Sequence, residues 1–196
     1  MEFDLSKRKA ALLIIDLQEL FTSATGPFKN ELAAQTIDEV NKFSQACANR
    51  AMPVIFSRYS FRDDLTDAGL LSDNPLVRDG FFSENSKWMK LDQNLQVPPA
   101  NIQLQRNRPG AFWNGRLDSC LQDLDVDTLL LCGLSVNNAI STTAREAFAR
   151  DIACVVIKEC TGAAPFESDL DAYFETLHTW TAEVASAADI LHRLKQ

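Results

Sequence analysis

Histidine is nearly absent from this chain. The two present, His178 and His192, both lie near its end. A metal centre built on several imidazoles is therefore not expected, because such sites draw three or four converging ligands. No cofactor is expected either. Paired cysteines are missing too. The five thiols, Cys47, Cys120, Cys132, Cys154 and Cys160, are odd in number and contain no C-x-x-C pair. The plain reading is buried, reduced thiols rather than a disulfide framework. Long apolar runs are also lacking. The longest, at 10–15 and 128–132, are strand-sized and far short of the roughly 20 residues of a membrane-crossing helix. The opening Met-Glu-Phe-Asp-Leu-Ser-Lys-Arg-Lys places charge where a signal peptide needs an apolar stretch. A cytoplasmic protein is predicted. There is no excess of positive charge: the formal net charge is −8, which argues against nucleic acid or an anionic membrane as partner, since both are polyanions. A local basic pocket for a small anion remains compatible with that balance. Repeats, low-complexity tracts and Gly/Ser linkers are absent, so residues 1–196 read as a single domain.

Apolar residues make up 46% of the chain and charged residues 23%, ordinary for a globular protein. What recurs is a buried strand followed by a helix. AALLII at 10–15 is continuously apolar and ends at Asp16, the pattern of a strand covered on both faces. Helical spacing of Leu32, Ile37, Val40 and Phe43 predicts a helix over 31–50. Further strands are predicted at 54–57, 102–105, 128–132, 153–157 and 183–185. Helices are predicted over 117–124, 136–150, 169–180 and 187–195. The stretch 59–99 reads as a long excursion with short helices. Strands alternating with helices imply a mainly parallel sheet with right-handed crossovers. Ligands then bind beyond the carboxyl ends of the strands, where the connections change direction.

Three segments occupy such ends. Asp16 closes an apolar strand; a carboxyl opening into a cleft has a raised pKa and suits acid–base chemistry, the alternative being a helix cap. Arg106 and Arg108 follow the third strand and suit bidentate recognition of a carboxylate, the alternative being a solvated surface pair. Residues 133–144, Gly-Leu-Ser-Val-Asn-Asn-Ala-Ile-Ser-Thr-Thr-Ala, bridge a strand and a helix. The free N–H groups of that helix start suit an anion or oxyanion, the alternative being ordinary capping by Ser135, Asn137 or Asn138. Phe21, Trp88, Phe112 and Trp113 either wall a flat pocket or belong to core and interface.

In order and separation these segments resemble the isochorismatase-like superfamily, which includes nicotinamidases, N-carbamoylsarcosine hydrolases and true isochorismatases. Ala11-Leu-Leu-Ile-Ile-Asp16-Leu-Gln18-Glu-Leu-Phe21 is similar to the family's apolar strand followed by Asp-x-Gln-x-x-Phe. Arg106-Asn-Arg-Pro-Gly-Ala-Phe112 resembles its Lys-x-x-x-Ser-Ala-Phe. The stretch from Gly133 to Ala147 resembles Gly-x-x-Thr-x-x-Cys-Val-x-x-Thr-Ala-x-x-Ala, and 155–162 stands where the family has a strand and then Asp-Ala. The resemblance implies a three-layer αβα fold around a six-stranded, mainly parallel, Rossmann-like sheet. It also implies a non-proline cis peptide at Leu134–Ser135 and a homo-oligomer. Most members use an Asp, a Lys and a nucleophilic Cys. Carried onto this chain, those places hold Asp16, Arg106 and Ala139. Alanine has no nucleophile, so a thioester route at 139 is closed; Cys160, after the fifth strand, is the nearest alternative thiol. The zinc-binding cluster of nicotinamidases is missing as well, the second strand running Phe56-Ser-Arg58-Tyr59-Ser without histidine. True isochorismatases also lack the thiol and protonate a vinyl ether. The leading reading is therefore a hydrolase acting on a small carboxylated vinyl ether. In it Asp16 is the general acid or base, and Arg106 with Arg58 or Arg108 holds carboxylates. Phe21, Arg58, Trp113, Ser135 and Asn138 form the substrate site. A silent member that binds a small anion or a protein partner is the second reading, and an amide hydrolase using water or a displaced thiol the third.

Overall fold

A computed structural model of the chain describes residues 1–28, 30, 32–163 and 169–194. Six strands form one sheet: β1 (Ala10–Ile15), β2 (Val54–Tyr59), β3 (Asn101–Arg106), β4 (Thr128–Leu134), β5 (Ala153–Gly162) and β6 (Glu183–Ala185). Every pairing is parallel, in the order β3-β2-β1-β4-β5-β6. The predicted fold class holds. The helices are α1 (Glu19–Thr22), α2 (Ala33–Ala48), α3 (Pro75–Arg78), α4 (Arg116–Asp123), α5 (Ser141–Phe148), α6 (Leu170–Trp180) and α7 (Ala187–Arg193).

Alternation along each strand divides the core in two. Ala11, Leu13 and Ile15 of β1 pack with Leu117 of α4, Ala144 of α5 and Phe174 of α6. Leu12 and Ile14 point the other way, onto Ile37, Val40 and Phe43 of α2 and Ile190 of α7. Both faces of β1 are thus covered, which is why its sequence is apolar without a break. A smaller cluster of Leu20, Tyr59, Phe61, Val77, Phe82 and Met89 lies under the 59–99 excursion. Burial of each such Leu, Ile or Phe side chain stabilises by about 1.5–3 kcal/mol.

β2 and β3 run one or two residues past their predicted ends, and β4 and β5 also run further than their apolar patterns suggest. β4 does not stop at Gly133 but continues to Leu134. Gly133 takes φ +109°, and a Cβ there would lie 2.0 Å from the carbonyl oxygen of Ile15. Only glycine lets β4 approach β1 so closely. β5 extends to Gly162 rather than ending at 157. Its register against β4 jumps from Leu131↔Val156 to Gly133↔Thr161, and Lys158 and Glu159 between them are exposed, which hides the strand from a hydrophobicity reading. The helix predicted over 136–150 begins with a wide π turn, Val136–Ile140, before α5. The chain moves outward from β1 to β3, then crosses back to β4 on the other side of β1. That reversal opens a crevice at the carboxyl ends of β1 and β4.

Candidate active site

Asp16 leaves β1 with φ +55°, a left-handed conformation that Asp tolerates better than most residues. Its N–H donates to the Ser57 carbonyl at 3.0 Å, and its own carbonyl accepts the Gln18 N–H at 2.8 Å. Asp16 does not cap the following helix; Gln18 occupies that position. The carboxylate is instead turned toward Arg106. β3 lies two strands from β1, about 10 Å away, so only a long side chain spans the gap over the end of β2. Arg106 does so. Its Nη1 donates to Asp16 Oδ1 and its Nη2 to Oδ2, each at 2.7 Å. Nε donates to the Pro109 carbonyl at 3.2 Å, and the guanidinium lies 5.4 Å from the centre of the Tyr59 ring. The two side chains are only 2% and 9% exposed, a paired fork in a dry setting. Burial pushes the Asp16 carboxyl up from its ordinary value; the charge and hydrogen bonds of Arg106 pull the other way without cancelling that effect. Burial likewise pushes the Tyr59 hydroxyl up to about 12.

The surrounding loops are pinned rather than free. Gln18, fully buried, donates from Nε2 to the carbonyls of Tyr59 (3.2 Å) and Met89 (3.1 Å) and accepts the Tyr59 N–H at 2.8 Å. It thereby clamps the end of β2 against the excursion. After β3, Ala111 N–H donates to Thr143 Oγ1 and Phe112 N–H to Glu146 Oε2, tying the Arg106 loop to α5. The Leu134–Ser135 peptide is cis, where the family resemblance places one.

Beside Asp16 lies a cavity of about 280 Å³. Phe21, Phe28, Tyr59 and Phe82 wall it, with Asn30, Ser135, Asn137, Asn138 and Ala139 supplying its more polar side. The rings meet at tilted or edge-to-face angles with centroids 5.8–6.3 Å apart, a favourable aromatic arrangement. Of the residues singled out from the sequence, Asp16, Phe21, Ser135, Asn138 and Ala139 come together here. Ser135 forms no side-chain cap on the turn that follows it.

Three expectations need correction. Arg106 stands behind Asp16, joined to it, and is not among the residues lining the cavity. Arg58 points from the opposite face of β2 to Tyr59, as strand alternation requires, and its buried Nε has no hydrogen-bond partner. Trp113 is 49% exposed, with the Arg108 guanidinium 5.3 Å from its ring, and does not line the cavity. Arg108 itself is hydrogen-bonded to the Asp67 carbonyl. In the other direction, Phe28, Asn30 and Phe82 line the cavity without being expected there, and Tyr59, at a strand end where ligands are expected, lines it in place of Arg58. Tyr59 carries a detectable signal, being one residue from Arg58 at a strand end; the others reach the cavity on long connections and carry none.

Cys47, Cys132, Cys154 and Cys160 are buried and Cys120 partly so; no cysteine or histidine lines the cavity among the described residues. Among those residues, no cluster of three His, Cys, Asp or Glu side chains is placed to hold a metal ion. No helix among them is long and apolar enough to cross a membrane.

The isochorismatase domain family matches residues 10–189. The chain is 26% identical over 192 residues to the uncharacterised isochorismatase family protein YecD of Escherichia coli, covering 97% of this chain and 99% of that one. It is 31% identical over 148 residues to Nicotinamidase 3 of Arabidopsis thaliana, covering 74% and 69%. A crystal structure of a cysteine hydrolase from Pseudomonas syringae superposes with a TM-score of 0.88 at 22% identity, covering 99% of this chain and 94% of that one. The fold, the crevice at the β1–β4 reversal and the match over nearly the whole length agree: the chain belongs to the isochorismatase family of hydrolases.

Proposed function

We propose that the protein hydrolyses a small, flat, largely apolar substrate carrying an amide or related carbonyl, without a cysteine nucleophile. The observation that carries this reading is a carboxyl raised by burial, Asp16, at the edge of an aromatic-walled cavity whose described residues offer no thiol. Each carboxylate oxygen has two acceptor positions, so Arg106 leaves each oxygen room for one further partner. Asp16 takes a proton from a water as the water oxygen attacks the carbonyl carbon, then returns it to the departing nitrogen. Ser135, on the polar side of the cavity, is assigned as a donor to the developing oxyanion. Arg106 does not release a proton near neutral pH; its role is to hold the carboxyl in place.

The vinyl-ether reading has less support. It needs cations to hold substrate carboxylates. Arg106 is engaged by Asp16, Arg108 by Asp67, and Arg58 lies on the far face of β2. The name of the Arabidopsis relative, a nicotinamidase, also favours an amide. The silent reading has one specific observation behind it, the engagement of both Asp16 oxygens by two 2.7 Å bonds from Arg106.

Incubation with nicotinamide, other small primary amides and isochorismate, read as ammonia or pyruvate release against an Asp16→Ala control, separates these readings. Ammonia release that depends on Asp16 is expected. Pyruvate release alone would restore the vinyl-ether reading. Ligand-induced thermal stabilisation with no turnover would establish the silent one.

A further inference from the structure

On the side of Arg106 away from the aromatic cavity, a second cleft of about 330 Å³ opens at the end of the edge strand β3. Ser60, Arg62, Asp67, Glu84, Arg106 and Arg116 form most of its wall. Three arginines on one cleft are unexpected in a chain of net charge −8, though the Arg106 guanidinium is itself bonded to Asp16 and Pro109.

An inventory of donors and acceptors decides what fits there. The acidic members are largely engaged. Asp67 Oδ1 accepts the Arg62 N–H at 2.9 Å and its Oδ2 accepts Asn107 Nδ2 at 3.0 Å. Glu84 Oε2 accepts Gln105 Nε2 at 3.2 Å. Two of the three basic members are not. Neither Arg62 nor Arg116 makes an ion pair or side-chain hydrogen bond among the described residues. Both side chains are exposed, so they are free to close on a ligand. A guanidinium has five N–H donors, and two unpaired guanidiniums therefore leave the cleft rich in donors and poor in open acceptors. Asn107 Oδ1 is buried without a hydrogen-bond partner and is out of reach of the cleft.

We propose that this cleft is a second binding site, taking a small oxyanion, either a phosphate or a carboxylate, between Arg62 and Arg116. The site is separate from the aromatic cavity and stands whether or not Asp16 carries out hydrolysis. Its wall includes Arg106, so an anion seated there shares that guanidinium's field with Asp16 and links the cleft to the cavity electrostatically.

Isothermal titration of the full chain with inorganic phosphate, and separately with lactate, in a constant chloride background tests the proposal. Saturable binding of one anion per chain is expected, and the tighter of the two identifies the oxyanion class. The double variant Arg62→Ser, Arg116→Ser removes only exposed side chains and should weaken binding about tenfold or more, the loss of at least one charge-assisted contact. Ala139→Leu, which crowds the aromatic cavity, should leave the affinity unchanged. Absence of saturable binding by both anions, equal affinity in the double variant, or loss of binding in Ala139→Leu would each overturn the assignment.

Discussion

Replacing Arg106 by methionine removes the guanidinium while keeping much of its volume, and it leaves the Asp16 carboxylate, 9% exposed, with neither of its two 2.7 Å bonds. Breaking one side of a buried pair costs about 3–5 kcal/mol. The remaining partner has an escape, because Asp16 can take up a proton. From the ordinary Asp value of 3.8, protonation costs about 5 kcal/mol at pH 7.5 and about 2.3 kcal/mol at pH 5.5, at 1.36 kcal/mol per pH unit. The part of the penalty that comes from leaving a charge unpaired therefore cannot exceed about 2.3 kcal/mol at pH 5.5. The sign follows from burial. Without Arg106, desolvation acts unopposed, the folded-state pKa of Asp16 rises further above its unfolded value, and the variant gains relative stability as pH falls through that raised value. Urea unfolding followed by tryptophan fluorescence should show Arg106→Met destabilised by about 3–5 kcal/mol at pH 7.5 and by half that or less at pH 5.5. Adding Asp16→Asn, which removes the charge and tolerates the left-handed backbone at φ +55°, should recover most of the loss at pH 7.5. A deficit below about 1 kcal/mol at pH 7.5, or one equal at both pH values, would refute a buried charge pair at this site.

Two further outcomes follow from the same geometry. Burial pushes Cys47 up to about 12 and raises Cys132, Cys154 and Cys160 as well, while Cys120 is the partly exposed thiol. Iodoacetamide at pH 7.5 should therefore add at most one group to the native protein, on Cys120, and leave any hydrolase activity intact; mass spectrometry showing a modified buried thiol with parallel loss of activity would contradict the thiol-free mechanism. Gly133→Ala places a methyl 2.0 Å from the Ile15 carbonyl oxygen in a φ +109° conformation. It should lower stability by more than about 3 kcal/mol, a fall in Tm of roughly 6 °C or more, and a thermal melt matching the parent's would rule out the close β1–β4 approach.

Much of this architecture is legible from residue order. The unbroken apolar runs of β1 and β4 announce strands buried on both faces, and the strand–helix alternation announces a parallel sheet. Asp16, Ser135, Asn138 and Ala139 could be placed near one another because they sit at the two strand ends flanking the reversal. The failures have equally plain causes. β5 was cut short because Lys158 and Glu159 break its apolar pattern. Arg58 was preferred to Tyr59 because the phase of a strand, which decides which of two neighbours faces a site, is set by packing. Phe28, Asn30 and Phe82 arrive on irregular connections whose paths no local pattern encodes.

Side-chain chemistry at each position belongs to the residue alone: alanine at 139 offers no nucleophile in any fold, and arginine at 106 surrenders no proton near neutrality. Partnership does not. That Arg106 holds Asp16 instead of a substrate carboxylate, that Arg62 and Arg116 face a separate cleft, and that four aromatic rings enclose one cavity all depend on distances between segments far apart in the chain. Electrostatic and hydrogen-bonding energies fall steeply with those distances and with exposure to water, and both are fixed only when the layers pack.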